Sequence, residues 1–278
     1  MCARAPGVHP KWTMGDALTG AGDDGGRGSG RITWLGHASV LVDLDGVRLL
    51  TDPLLATRVA HLRRVVPRPA DPVGVDAVLL SHLHRDHAHL PSLRRVARGR
   101  LVLAPAGSGA LLARAGAAEV IEMAAGDRSR VGALEVGAVH AEHDGRRGPG
   151  SPPTAALGYV VSGSRRAYFA GDTNLFPGMA DIAPGLDVAL LPIWGWGPTL
   201  GAGHLDPLRA AEALVMLRPR LAIPIHWGTY APVVMWRAFR RSFLARPPHD
   251  FVRAARRLAP DVQVRVLAPG GSTGMVPA

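Results

Sequence analysis

The chain has 278 residues, 47% hydrophobic and 19% charged, a globular composition rather than a collagen-like or disordered one. At about 150 residues per domain the length suits one or two domains. Thirty-two basic against 22 acidic residues give a net charge of +10 and a pI near 11.2. Lys11 is the only lysine, however, so the excess is scattered arginine of the kind GC-rich coding produces, and no specific nucleic-acid partner is expected. The only cysteine, Cys2, excludes an intrachain disulfide and any thiolate-built metal site. No apolar run approaches the ~18–20 residues of a membrane span, and residues 1–30 lack a signal-like apolar segment, so a cytoplasmic protein without stable membrane insertion is expected.

In chain order, residues 1–30 are rich in Gly, Ala and Asp without periodicity and read as a disordered tail, leaving 31–278 as one domain. Strands are predicted over 32–35, 39–44 and 47–50, the last two joined by a hairpin turn at Asp45-Gly46. A buried strand over 75–80 runs into a histidine cluster. Further strands are expected at 101–104, 120–122, 134–139, 157–161, 167–170 and 188–191, with closing strands at 221–225 and 262–267. Helices are expected at 91–97, 108–115, 207–217, within 233–244 and at 250–258. Asp206-Pro207 supplies an N-cap and a first-position proline for the third of these. The pattern is α/β: two mixed sheets packed together with helices outside.

Twelve histidines against five phenylalanines and three tyrosines is the unusual ratio. Ser81-His82-Leu83-His84-Arg85-Asp86-His87 follows a predicted buried strand, so its side chains emerge together at a strand end. Imidazole nitrogen and carboxylate oxygen suit divalent ions such as zinc. In an extended segment His82 and His84 share a side and can grip one ion, while Asp86 and His87 reach a second position.

His-Leu-His-Arg-Asp-His matches the H-x-H-x-D-H signature of the metallo-β-lactamase fold superfamily. Further segments, in the expected order over about 31–270, resemble the branch of ascorbate-6-phosphate lactonases and N-acyl-phosphatidylethanolamine phospholipase D. They are Trp34-Leu35-Gly36-His37-Ala38-Ser39, Leu50-Thr51-Asp52-Pro53, Ala141-Glu142-His143, Tyr168-Phe169-Ala170-Gly171-Asp172-Thr173 and Ile225-His226-Trp227-Gly228-Thr229.

The resemblance implies an αββα sandwich with two divalent metal ions at one edge, zinc first, with manganese or iron as alternatives. His82, His84 and His143 would hold the first ion; Asp86, His87 and His226 the second, with Asp172 bridging. His140 competes with His143, and the Ala-Glu-His match favours His143. Asp52 resembles an aspartate that orients ligands. His204 would face the metals, binding an oxyanion or protonating a leaving group. His37 is a weaker pocket candidate, and Trp194, Trp196 and Trp227 either wall the pocket or pack in the core. His9, His61, His89 and His249 default to surface roles.

Two divalent ions, two carboxylates and one bridging hydroxide leave one net positive charge, which favours a phosphoester, a carboxylate or a developing oxyanion. The expected activity is hydrolysis of a phosphodiester or lactone-like small molecule by a metal-bridging hydroxide, with Asp86 and His204 in catalytic roles. A nuclease is the alternative within the superfamily, although no RNA-gripping insertion fits within 31–270. A non-catalytic metal- or ligand-binding module is the alternative outside it.

Overall fold

The computed structural model describes residues 30–197, 199–233 and 242–275. The expected tail, Gly30 apart, and most of the helix sought within 233–244 lie outside the described residues. The first half carries strands β1 (Arg31–Gly36), β2 (Ser39–Leu44), β3 (Val47–Thr51), β4 (Arg58–Val59), β5 (Leu62–Arg64) and β6 (Ala77–Leu79). Helix α1 (Leu90–Val96), β7 (Leu101–Pro105), α2 (Gly109–Ala113) and β8 (Glu119–Met123) follow. Next come β9 (Arg128–Val131), β10 (Leu134–Asp144), β11 (Ala155–Ser162), β12 (Arg166–Phe169), a 3-10 turn at Pro177–Asp181, and β13 (Val188–Pro192). The chain continues with α3 (Pro207–Leu217), β14 (Leu221–Ile225), β15 (Tyr230–Pro232), α4 (Ser242–Leu258), β16 (Gln263–Val264) and β17 (Ser272–Gly274).

One seven-stranded sheet has the order β17-β1-β2-β3-β6-β7-β8 and the other β16-β14-β13-β12-β11-β10-β9. Both are mixed: β3, β6, β7 and β8 run parallel in the first, and β12, β13, β14 and β16 in the second. Strand periodicity divides the first sheet between two cores. Leu49, Ala77, Leu79 and Leu103 point into the core shared with the second sheet. Leu50, Val78, Leu80, Val102 and Ala104 point the other way, against Leu93 and Val96 of α1 and Leu112 of α2. On the far side α3 and α4 bring Ala210, Leu214, Phe251 and Ala255 into the main core, completing an αββα sandwich. Full burial of each such leucine or phenylalanine contributes roughly 1.5–3 kcal/mol.

Local chemistry explains several elements. Asp45 (φ 50°) and Gly46 (φ 79°) both adopt left-handed backbone, as the tight β2–β3 hairpin with Leu44 opposite Val47 requires. Asp206 caps α3 by accepting from the Arg209 amide at 2.8 Å, with Pro207 in the first turn.

The structure also corrects the reading. Helix α4 starts eight residues before the expected 250, carrying Pro247 and Pro248 inside it. Each proline forfeits a helical hydrogen bond, and the burial of both rings offsets that loss. The strand expected over 262–267 contracts to Gln263–Val264. A third, three-stranded sheet, β15-β5-β4, was not expected; it pairs Tyr230 with Arg64 across a long sequence separation. Among the described residues no helix is long and apolar enough to cross a membrane.

Candidate metal centre

The carboxyl ends of β3, β6, β10, β12, β13 and β14 deliver Asp52, Ser81-His82, His143, Asp172, Trp194 and His226 to one edge of the sandwich. Ends of parallel strands are where open sheets place ligands. Gly171, at φ 62°, permits the close approach: a Cβ there would lie 2.6 Å from Ser81 Cβ. Strand β10 reaches the site through a bulge. His140 pairs with Leu157 but Asp144 with Ala155, so two extra residues are inserted, and the inward positions change from 134, 136 and 138 to 141 and 143. The structure therefore aims His143 at the cluster. His140 stays exposed, 3.2 Å from Glu142 and edge-on to Phe176.

Two groups of donors converge. In the first, His84 Nδ1 lies 3.0 Å from His82 Nε2 and 3.2 Å from His143 Nε2. In the second, His87 Nε2 lies 3.2 Å from His226 Nε2, 3.1 Å from Asp172 Oδ2 and 3.8 Å from Asp86 Oδ2. Asp172 stands between them. Its Oδ2 is 4.0 Å from His82 Nε2 and 3.5 Å from His204 Nε2, and its Oδ1 is 3.3 Å from His226 Nε2.

The outward contacts set the tautomers. His87 Nδ1 donates to Asp52 Oδ2 at 2.7 Å, His226 Nδ1 to the Trp194 carbonyl at 2.8 Å, and His143 Nδ1 to the Gly203 carbonyl at 2.9 Å. The Ser81 hydroxyl donates to Asp52 at 2.5 Å and so accepts from His82 Nδ1 at 2.9 Å. In the neutral forms of His82, His87, His143 and His226 the inward nitrogen is then a lone pair facing other ring nitrogens and carboxylate oxygens.

That arrangement fits divalent cations. Tetrahedral bonds of ~2.0–2.1 Å give nitrogen–nitrogen edges of about 3.3 Å, close to the spacing in the first group. Asp172 Oδ1 is buried without a hydrogen-bond partner, an acceptor suited to a cation.

Charge tells the same story. Burial holds His82, His84 and His143 below the ordinary imidazole value, and pushes His226 down to about 3. Burial also opposes charge on His87, but Asp172, Asp86 and Asp52 outweigh it and raise that ring well above its usual value. Burial likewise works against the Asp172 and Asp86 anions. Imidazoles reverse that effect, His226 and His87 beside Asp172 and His87 and His37 beside Asp86, holding both carboxyls well down. Burial also works against charge on His204, and the hydrogen bond to Asp172 outweighs it. Three carboxylates thus gather where two raised imidazoles, His87 and His204, supply positive charge.

His37, Asp52 and His226 adopt positive φ values of 55°, 32° and 60°, strain of the kind found at functional sites. His37 Nε2 contacts Asp86 Oδ2 at 3.0 Å, and its ring lies 3.9 Å from that of His226, centroid to centroid. His204 Nδ1 donates to the Gly201 and Ala202 carbonyls, both at 3.2 Å, which turns Nε2 toward Asp172.

The tryptophans separate. Trp194 anchors His226 through its carbonyl, and Trp196 packs edge-on to His61. Trp227 does not wall a pocket: its ring is buried, stacked on Trp34 with centroids 5.1 Å apart, and its indole nitrogen donates to the Pro224 carbonyl. His89, assigned to the surface, caps α1 by accepting from the Ser92 amide. Sequence reasoning gave no role to Ser81 or to the Gly203 and Trp194 carbonyls. Only the position of Ser81, immediately before His82, carried a signal.

A model described as the β-lactamase superfamily domain matches residues 47–227. The chain is 36% identical over 255 residues to a UPF0173 metal-dependent hydrolase of Methanopyrus kandleri, covering 87% of this chain and 98% of that one. It is 31% identical over 226 residues to N-acyl-phosphatidylethanolamine-hydrolyzing phospholipase D 1 of Caenorhabditis elegans, covering 71% of this chain and 64% of that one. A metallo hydrolase from the archaeon Ignicoccus hospitalis shares the fold, with a TM-score of 0.67 at 23% identity over 88% of this chain and 98% of the other. With the fold, the donor set and these likenesses in agreement, the chain belongs to the metallo-β-lactamase superfamily, in the branch of metal-dependent hydrolases that includes N-acyl-phosphatidylethanolamine phospholipase D.

Proposed function

We propose that the chain hydrolyses a small phosphodiester or lactone-like ester with two divalent ions. His82, His84 and His143 would hold one, and Asp86, His87 and His226 the other, with one oxygen of Asp172 available to each. The observation that carries this reading is the pair of lone-pair clusters meeting at Asp172, whose Oδ1 is buried and unpartnered. Bound divalent ions supply Lewis acidity and lower the pKa of a coordinated water toward ~7, giving a nucleophile without serine or cysteine. The residues do the positioning. Asp52 fixes the rings of His82, through Ser81, and of His87. His37 steadies Asp86. His204, with Nδ1 tied to carbonyls, turns Nε2 toward the site to protonate a leaving oxygen or bind an oxyanion.

The test joins elemental analysis of metal-reconstituted protein to a screen of phosphodiesters against lactones. Two ions per chain and turnover of either class are expected. One ion per fully loaded chain overturns the dinuclear reading. Two ions with no turnover of any ester, lactone or phosphodiester favours a binding module.

A further inference from the structure

Five large apolar side chains stand exposed among the described residues, and two of them, Leu208 (54%) and Leu258 (40%), line one cleft. The cleft is a half-open concavity of about 500 Å³ between the first turn of α3 and the last turns of α4, with Trp194 and Ala254 also on its walls. That volume falls within the roughly 300–1,000 Å³ of small-molecule sites. Exposed apolar residues scattered singly call for no explanation, but a pair sharing a concavity with a tryptophan does. The indole is held in place: Trp194 Nε1 donates to the Gly197 carbonyl at 3.0 Å, and the residue packs against the main core.

Polar groups on the rim are unequally engaged. Asp206 spends its carboxylate on the Arg209 amide, and Asp250 is gripped by Arg246 at 2.9 Å and Arg253 at 2.5 Å. Arg257 also lines the cleft, and among the described residues no carboxylate lies within ion-pair distance of it. Arg256 and Arg257 both stand in the last turn of α4, where a cation favours the helix dipole, yet only Arg257 reaches the cleft.

We propose that this cleft binds a single-chain anionic amphiphile. Its chain would lie against Trp194, Leu208, Ala254 and Leu258, with its charged head on Arg257. The concavity favours a free molecule over a bilayer surface, because interfacial anchoring presents apolar groups on an outward face instead of lining a recess. The cleft shares none of the converging donors of the metal centre. Its connection to them is Trp194, whose carbonyl holds His226 Nδ1. The proposal stands whether or not the hydrolase reading does.

Titration calorimetry with decanoate, on the full chain with and without metal, tests it. Saturable binding of one decanoate per chain is expected in both states, with acetate and decanol each weaker. Leu208→Glu and Arg257→Glu alter exposed positions, so both variants should keep the parent melting temperature while weakening decanoate by at least about tenfold. Loss of binding on metal removal would put the carboxylate on the metals and overturn the proposal. So would acetate binding as tightly as decanoate, undiminished affinity in both variants, or partition to anionic vesicles without binding of decanoate monomer.

Discussion

The two donor clusters are neighbours built on different principles. The first takes His82 and His84 from one loop and His143 from one strand, and its three rings are held uncharged by burial. The second takes Asp86 and His87 from that same loop, adds His226 and the contacting His37 from two further segments in left-handed backbone, and sets carboxylates among the rings. A site of neutral donors needs only convergence. A site carrying several carboxylates needs its charges held in register, and strained backbone together with Asp52 supplies that hold.

Asp172 is the residue the clusters share, so its removal should have the largest effect. Asp172→Ala is expected to lower both metal content and turnover, the latter by on the order of 10²–10³-fold or more. Elemental analysis and kinetics on one preparation check this. Retention of two ions would show that the clusters do not depend on this carboxylate. Asp52→Asn comes next, because Asp52 reaches the first cluster through Ser81 and the second through His87. Metal affinity should fall by about 10–100-fold at both positions, read by competition with a chelator. A loss confined to one position would break the argument that one carboxylate orients both.

Rings of the two clusters should also respond oppositely to pH in the metal-free chain, His87 of the second cluster against the three of the first. His226 sides with the first, because burial lowers it too. His82, His84 and His143 are held below their ordinary 6.5, so the unfolded chain takes up protons that the folded chain refuses. Stability should fall as pH drops below about 6.5 toward their folded values. His87 is raised, so its contribution is full below about 6.5 and is lost as pH rises through its folded value. Urea midpoints across this range should show both losses, with His84→Gln flattening the acid side and His87→Gln the alkaline side. The same slope in both variants would remove the contrast.

How much of this was legible follows the range of the forces involved. Local signals served well: the Asp45-Gly46 hairpin, the Asp206-Pro207 helix start and the run from His82 to His87 each act within a few residues. Long-range pairing was invisible. Nothing near Arg64 announces Tyr230 as its strand partner, so the small sheet went unseen. Helix α4 runs eight residues earlier than expected and through two prolines, where burial of the rings outweighs the local penalty. Trp227 was ambiguous because an indole suits a pocket wall and a core equally, and only the position of Trp34 settles it.

The smallest expected effect bears on that same boundary between local and long-range information. His140 and His143 lie on one strand three residues apart, and strict alternation would turn them to opposite faces without saying which face the site occupies. The irregular end of β10 decides the matter: the buried positions pass from Ala138 to Ala141, leaving His140 in an exposed pair with Glu142 and His143 turned to the cluster. His140→Ala should therefore change stability by no more than about 0.5 kcal/mol and leave metal content and turnover as they are. His143→Ala removes an inward nitrogen and should weaken the first cluster selectively, while the His87 and His226 position keeps its ion. Metal titrations of the two variants read the difference directly. Loss of the first ion in His140→Ala, with His143→Ala unaffected, would mean that β10 enters the site in the other register and that the bulge lies elsewhere.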